Sequence, residues 1–144
     1  MRLTFDIRKT DVNRFAANCD AMINRVGRGT RKALVEACRI ISENSLAQVP
    51  RETETLANSQ YWEVTGTYKT LFEATIGYGG NGDPINPRTG KPASAYMLKV
   101  HEDLSVYHFI GKAKFLEDPV REFTLSRHPR TIIKYVSEAI EGRG

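Results

Sequence analysis

The first third of the chain carries apolar residues at every third or fourth position, which is the spacing of one helical face. A helix over residues 11–48 would be roughly 55 Å long at 1.5 Å per residue. Thr10 is the predicted N-cap, and Pro50 ends the helix. Gly27 and Gly29 leave room for a kink or a break. The apolar positions are Val12, Phe15, Ala16, Cys19, Met22, Ile23, Val26, Ala33, Leu34, Ala37, Ile40 and Ile41.

Such a helix is longer than one small sheet can cover. Part of its apolar face is therefore left without a partner inside a single chain, and an unpaired apolar stripe of this kind marks an interaction surface. A neighbouring copy of the chain would cover it. The long helix thus predicts a homo-oligomer.

Strand and helix patterns alternate along the rest of the chain. Aromatic and β-branched runs with a period of two predict strands, and wider apolar spacing predicts helices. The chain is expected to form a single α+β domain over residues 1–144, with a long N-terminal helix packed on a small, mainly antiparallel sheet and with C-terminal helices. The other predicted elements are a strand at 3–7, a loop with a helical turn at 51–60, strands at 61–65 and 70–78 joined by a turn at 65–67, a helix at 95–104, a strand at 106–110, a helix that opens at Pro119 after Asp118 as N-cap with Val120 and Phe123 inward, a break at His128-Pro129, and a last helix that stops at Gly142.

A segment rich in glycine and proline separates the second strand of the predicted hairpin from the next helix. Residues 79–94 have almost nothing to bury, which predicts an exposed, flexible loop. Loops of this length in compact domains are usually functional, so this one is a candidate for contact with a partner. The candidate contact residues are Gly79, Gly80, Asn81, Gly82, Asp83, Arg88 and Lys91.

Composition and charge are those of an ordinary globular protein. The 144 residues are 40% apolar and 26% charged, and 21 Lys and Arg against 17 Asp and Glu give a net charge of +4. This excess is too small to indicate nucleic acid by itself. The densest basic group, at residues 25–32, is expected to form the solvated side of the long helix.

The N-terminal residues and the cysteines bear on cellular location. Residues 1–9 lack the apolar stretch of a signal peptide, and no run approaches the roughly 18 apolar residues of a membrane span. We therefore expect synthesis in the cytoplasm and no membrane contact. Cys19 and Cys38 fall among apolar helix positions, which predicts small buried hydrophobic residues in place of metal ligands or a disulfide.

Histidines and acids close together raise the hypothesis of a metal or acid–base site. His101 lacks a second histidine at the helical spacing that one zinc ion requires, and His108 follows only after the predicted change from helix to strand. The glycines at 77–82 are not followed by a helix, and Pro92 breaks the pattern of a phosphate-binding loop. No Gly-x-Ser-x-Gly sequence occurs. The sequence therefore predicts no enzyme, with no catalytic, metal-binding or cofactor-binding residues.

Three short motifs occur in order along the chain. The first, VPRETETLANS at residues 49–59, follows the long helix. The second is YMLKVHE at residues 96–102, and the third is GKAKFL at residues 111–116, followed by Pro119 and a helix. In this order the motifs resemble the phage tail-component and neck protein family, whose members join head to tail in long-tailed phages and prophages. The third motif is the most specific.

Two positions of the motifs differ from the family pattern. Glu54 stands where the family usually has glycine after the threonine, and Met97 stands where alanine is usual. Met fills an apolar position easily. The difference at Glu54 bears directly on the geometry of its turn.

The resemblance implies an α+β subunit of a ring, a viral structural protein without catalysis or cofactor. Phe115 and Leu116 would anchor the terminal helix to the sheet, and Tyr96 and His101 would fix the preceding turn. The histidines then have no catalytic role. The assembly signature implied by the motifs is Tyr96, His101, Gly111, Lys114, Phe115, Leu116 and Pro119.

The same resemblance implies a location and partners. The ring would lie at the head–tail junction of the virion, after synthesis in the bacterial host cytoplasm. Its partners would be further copies of itself, the connector or head-completion protein, and the tail tube or its terminator, with DNA passing non-specifically through the lumen.

Two other functions stay open at this point. Within the assembly class, the alternative is a tail terminator that caps the tail tube. From another class, a small nucleic-acid-binding protein could stack bases on its aromatic residues beside Lys69, although strand alternation sends most of these rings inward. These aromatic residues are Tyr61, Trp62, Tyr68 and Tyr78.

Overall fold

The computed structural model describes residues 8–80 and 82–143. Its fold is α+β, as predicted, with a long N-terminal helix packed on a small antiparallel sheet and with C-terminal helices. Among the described helices, none combines the length and the hydropathy needed to cross a membrane. In chain order the elements are α1 (Lys9–Gln48), α2 (Thr55–Asn58), β1 (Tyr61–Thr65), β2 (Glu73–Gly77), a 3-10 turn (Ala93–Ala95), α3 (Met97–Glu102), α4 (Glu117–Leu125) and α5 (His128–Ile140).

Helix α1 is continuous through Gly27 and Gly29, where the sequence allowed a kink or a break. Both glycines are buried because neighbouring segments approach the helix closely. A Cβ atom at Gly29 would lie 2.6 Å from the Cβ of Ala139 in α5, and one at Gly27 would lie 3.0 Å from the Cβ of Tyr68. Close packing thus offsets the low helix propensity of the two glycines.

About three turns at the start of α1 extend beyond the rest of the described protein. The helix begins at Lys9 after Arg8, one residue before Thr10, so the predicted N-cap is wrong. Residues 8–18 are all exposed, and Phe15 exposes 71% of its surface. The apolar face of these turns therefore packs on nothing within the described residues.

Strands β1 and β2 form an antiparallel pair in which Tyr61 lies opposite Gly77 and Thr65 lies opposite Glu73. Both strands pack against α1. The strand predicted at residues 3–7 lies outside the described residues.

The connection between the strands is longer than the three-residue turn that the sequence predicted. It spans residues 66–72, and β2 begins at Glu73 instead of residue 70. The N–H of Thr70 donates to the carbonyl oxygen of Thr67 at 3.0 Å, and the N–H of Thr67 donates to Oγ1 of Thr70 at 2.8 Å. These bonds form a separate turn, so the residues around it cannot join the ladder.

Residues 103–116 form an irregular segment, and the strand predicted at 106–110 is absent from the described chain. Helix α3 ends at Glu102 because Asp103 starts a tight turn, in which its carboxylate accepts a bond from the N–H of Ser105 at 3.0 Å. A strand also needs a neighbouring strand to be stable. The described sheet consists of β1 and β2 alone and supplies none.

Helix α4 begins at Glu117, two residues before its predicted start. The predicted cap, Asp118, lies inside the helix, and its carboxylate pairs with Lys112 at 2.6 Å and with Arg121 at 2.9 Å. Pro119 is buried in the first turn, where its missing N–H needs no partner.

The buried face of α4 carries one of the two residues predicted to point inward. Phe123 is half-buried and stacks on the ring of His128, with centroids 5.9 Å apart. Val120 is exposed, so that prediction is wrong. The face is set by Pro119 and Phe123, which lie one helical turn apart. Helix α5 begins at His128, where the sequence predicted a break, and packs along α1.

Candidate functional site

The three motifs, which are far apart in the sequence, meet in one buried cluster. The first motif contributes residues that follow α1, the second contributes α3, and the third contributes the segment before α4. The cluster therefore joins α1 and the end of β2 to the C-terminal part of the chain. Its buried members are Val49, Leu56, Ala57, Tyr78, Ala93 and Phe115, surrounded by Leu46, Tyr96, Met97, Val100 and Leu116.

Phe115 is the largest fully buried side chain of the cluster, with 1% of its surface exposed. Its ring meets the rings of Tyr78 and His101 edge-on, at centroid distances of 5.0 Å and 4.9 Å. Edge-to-face pairs of this kind add to the stabilisation from burial. Phe115 thus connects the segment before α4 with the residue that follows β2.

The hydroxyl group of Tyr78 is bound by two polar side chains. Nε2 of Gln60 donates to it at 2.9 Å, and the hydroxyl group shares a second hydrogen bond with Oγ of Ser45 in α1 at 2.7 Å. Burial raises the pKa of Tyr78. The neutral phenol is satisfied inside the core and is not available to stack on a nucleic-acid base.

His101 has both ring nitrogens engaged inside the fold. The N–H of Glu117 donates to Nε2 at 3.3 Å, so the proton is assigned to Nδ1, which donates to the carboxylate of Glu102 at 2.8 Å. A metal ligand or a general base needs a free nitrogen lone pair, and the lone pair of Nε2 already accepts the bond from Glu117. The two bonds orient α3 against the start of α4.

Lys114 connects the third motif to α3 and α4. Its N–H donates to the carbonyl oxygen of His101 at 2.8 Å, and its amino group bridges Glu102 and Glu117. Hydrogen bonds from Lys114 and His101 lower the pKa of Glu102, and bonds to the two glutamates raise the pKa of Lys114. Exposed ion pairs contribute little stability, so the main effect of this cluster is orientation.

Gly111 lies directly against the end of α1. Its φ is +88°, in the region that L residues rarely adopt. A Cβ atom there would lie 2.5 Å from the backbone nitrogen of Pro50 and 2.6 Å from the carbonyl atoms of Val49. The N–H of Lys112 also donates to the carbonyl oxygen of Gln48 at 2.9 Å, which satisfies one of the last carbonyl groups of α1.

The remaining signature residues lie around the same core. Tyr96 and Leu116 are half-buried against it, and Pro119 is fully buried. All seven signature residues therefore fall in one region of the fold, made of α3, the segment before α4, and the first turn of α4.

The loop at residues 79–94, here called the Gly/Pro loop, is attached to the rest of the domain near both of its ends. The N–H of Gly79 donates to Oγ of Ser59 at 3.0 Å, and the N–H of Ser94 donates to the carboxylate of Asp83 at 2.9 Å. Ala93 is completely buried in the core cluster. Sequence reasoning missed Ala93 because it lies in a segment without any apolar pattern.

The tip of the loop is a turn built on Asn86. Its side-chain oxygen accepts a bond from the N–H of Arg88 at 2.9 Å, and the guanidinium of Arg88 pairs with Glu52. Gly82 and Lys91 are exposed. Gly80 lies against the ring of Tyr61, and Asn81 lies outside the described residues.

The described part of the chain contains no cluster of side chains suited to a metal ion. Within residues 8–80 and 82–143, no group of three or more His, Cys, Asp or Glu is placed to hold a metal ion. Cys38 is buried, and burial raises the pKa of its thiol, which keeps it protonated and unreactive. The main structural feature of this region is the buried apolar cluster around Phe115.

The chain matches no family model, no curated protein and no solved structure. The backbone conformation of Glu54 is relevant to the resemblance to the phage neck protein family. Glu54 has φ 57° and ψ −7°, a left-handed conformation that glycine adopts at little cost. This is the position at which the phage family usually has glycine. The turn is therefore of the type that glycine favours, although this chain places glutamate there.

Glu54→Gly is expected to stabilise the protein by about 0.5–1 kcal/mol, because relief of left-handed strain exceeds the entropy that glycine adds to the unfolded chain. The lost ion pair with Arg51, at 3.2 Å, is exposed and contributes little. Urea unfolding followed by circular dichroism measures the change. Glu54→Ala is the matched control: it removes the same carboxylate, keeps the strained Cβ, and should give no stabilisation. Equal effects of the two substitutions would contradict this explanation.

Sequence reasoning also missed an exposed apolar surface on residues 104–110. Leu104, Tyr107 and Phe109 expose 77%, 85% and 90% of their surfaces. Apolar alternation was the available signal, and it was interpreted as a strand. Without a neighbouring strand, the same residues project into solvent.

Proposed function

We propose that this protein is a non-enzymatic structural protein of a phage virion, a subunit of a homo-oligomeric ring at the head–tail junction. The ring acts in the neck, or in tail completion, where it joins the connector to the tail and lets DNA pass through its lumen. The observation that carries the proposal is the convergence of the three motifs in one core. At Glu54, where the sequence departs from the family pattern, the backbone has the left-handed conformation that glycine favours.

Exposed apolar surface supports assembly. The first turns of α1 and the segment at 104–110 both leave large apolar side chains uncovered in the described protein, among them Phe15 and Phe109. Monomeric proteins rarely expose contiguous apolar patches larger than a few hundred Å². Neighbouring subunits or adjoining virion proteins would cover them.

A small nucleic-acid-binding protein is the alternative from another class, and the geometry favours it less. Of the basic group on α1, Arg31 donates to the carbonyl oxygen of Val64 at 2.8 Å, and Lys32 lies 5.0 Å from the ring centroid of Tyr135. Tyr61 packs on Gly80, and Tyr78 is buried. These side chains are engaged in contacts within the fold, which makes them less available to bind DNA.

Negative-stain electron microscopy and light scattering of the purified protein test the proposal, first alone and then with connector and tail-tube proteins. The expected result is a ring with a central hole. Co-purification with the connector supports the neck position, whereas co-purification with the tail tube supports the tail terminator alternative. A monomer under all these conditions, with salt-dependent affinity for plain duplex DNA, would contradict the ring and favour the nucleic-acid-binding alternative.

A further inference from the structure

The segment at residues 104–110, here called the apolar loop, is a projecting surface without a partner in the described chain. Tyr107 and Phe109 alone present on the order of 300 Å² to solvent. Leu104, Val106 and Ile110 are also exposed in this segment. An interface of ordinary size buries about 800 Å² on each partner, so this loop supplies a substantial share of one.

The same molecule also carries an apolar groove. It lies between the middle of α1 and the connection that joins β1 to β2, and its volume is about 660 Å³. Leu71 exposes 89% of its surface at the edge of the groove. Apolar side chains dominate the lining, including Met22, Ile23, Val26, Leu71 and Phe72.

The apolar loop lies at the C-terminal end of α1, and the groove lies at the middle of the helix. The groove is formed by helix residues 22–34, whereas the loop is held at the helix end by the bond from Lys112 to Gln48. At 1.5 Å per residue, positions 22–34 lie roughly 20–40 Å along the axis from Gln48. One chain therefore cannot fill its own groove with its own loop, whereas a second copy can.

The apolar loop and the helical side of the groove lie in stretches of the chain with opposite net charge. Residues 8–34, which include the helical side of the groove, carry seven Lys and Arg against two Asp. Residues 102–118, which contain the apolar loop, carry four Asp and Glu against two Lys. Electrostatic attraction thus favours the approach of the apolar loop of one copy to the groove of another. Repulsion opposes the approach of two grooves to each other.

We propose that the apolar loop of one copy docks in the groove of a second copy. The contact joins two different surfaces, so it is heterologous, and its repetition closes into a ring when the rotation per subunit allows closure. This inference rests on the proposed ring function and identifies the subunit contact that builds the ring. Phe109 and Tyr107 are its anchors, and Leu71 lies at the edge of the surface that receives them.

Paired variants test the contact by sedimentation velocity. Phe109→Asn changes the loop, and Leu71→Asn changes the groove. Each places an amide in an apolar contact and is expected to weaken self-association at least about tenfold. Leu125→Asn is the matched control, since Leu125 is an exposed residue of α4 outside both surfaces and should leave assembly unchanged. Circular dichroism checks that the variants keep the fold.

A mixture of the two variants gives the decisive result. In an equimolar mixture, the loop of a Leu71→Asn copy meets the groove of a Phe109→Asn copy, and that intact pair is expected to form a dimer that grows no further. Assembly of both single variants at the wild-type mass, or failure of the mixture to form a dimer, would overturn this contact and leave the ring in place. Wild-type protein that stays monomeric, alone and with virion partners, would overturn the ring proposal itself.

Discussion

Phe115→Ala is expected to destabilise the protein by about 3–5 kcal/mol, one of the largest effects of a single substitution in this chain. The phenyl ring is fully buried and closes the cluster between the end of β2, α3 and the start of α4. Alanine removes the edge-to-face contacts with Tyr78 and His101 and leaves a cavity. Urea unfolding at a concentration that keeps the chain monomeric measures the loss.

Phe109→Ala is the matched control, because it removes the same side chain from an exposed position. Its effect on the free energy of unfolding of the monomer should stay within about 0.5 kcal/mol. Similar losses for Phe115→Ala and Phe109→Ala would show that the core is not centred on Phe115. Working with the monomer also separates stability from assembly, in which Phe109 is proposed to act.

Gly111→Ala is expected to destabilise the protein by about 2–5 kcal/mol, since it combines left-handed strain with overpacking. The new methyl group would meet backbone atoms of Val49 and Pro50, which cannot move aside as a flexible side chain can. Relief would require the segment before α4 to move away from the end of α1. The thermal unfolding midpoint and the urea midpoint should both fall.

Gly90→Ala separates the two causes of that loss. Gly90 also has a positive φ, 68°, but apart from Gly90 and its two chain neighbours no described atom lies within 4 Å of the position its Cβ would take. Strain alone should then cost about 1 kcal/mol or less. If the two substitutions cost the same, the close approach of Gly111 to Pro50 has no energetic importance.

The periodicity of apolar residues predicted the secondary structure correctly for the long helix and for the first strand. The apolar period of α1 predicted a helix over residues 11–48, and the structure has Lys9–Gln48. The strand at 61–65 is found as predicted. The helix follows from hydrogen bonds and side-chain periodicity within a few residues, and the strand follows because its partner β2 comes next in the chain after a short connection.

Predictions failed where an element depends on a distant partner. Residues 106–110 have the alternation of a strand, yet no neighbouring strand pairs with them in the described fold. The caps predicted at Thr10 and Asp118 lie two residues after the observed cap positions, Arg8 and Leu116, and neither of these makes a side-chain capping hydrogen bond. The carboxylate of Asp118 instead forms ion pairs with Lys112 and Arg121.

The sequence by itself determined the α+β class and the long helix, because the apolar periodicity of each element depends on neighbouring residues. Only the tertiary structure decided that Gly27 and Gly29 are close-packing positions and that both nitrogens of His101 are occupied. It alone also showed that the apolar loop is exposed at the end of α1 away from the groove. These properties arise from contacts between segments far apart in the chain, whose distances no local pattern contains.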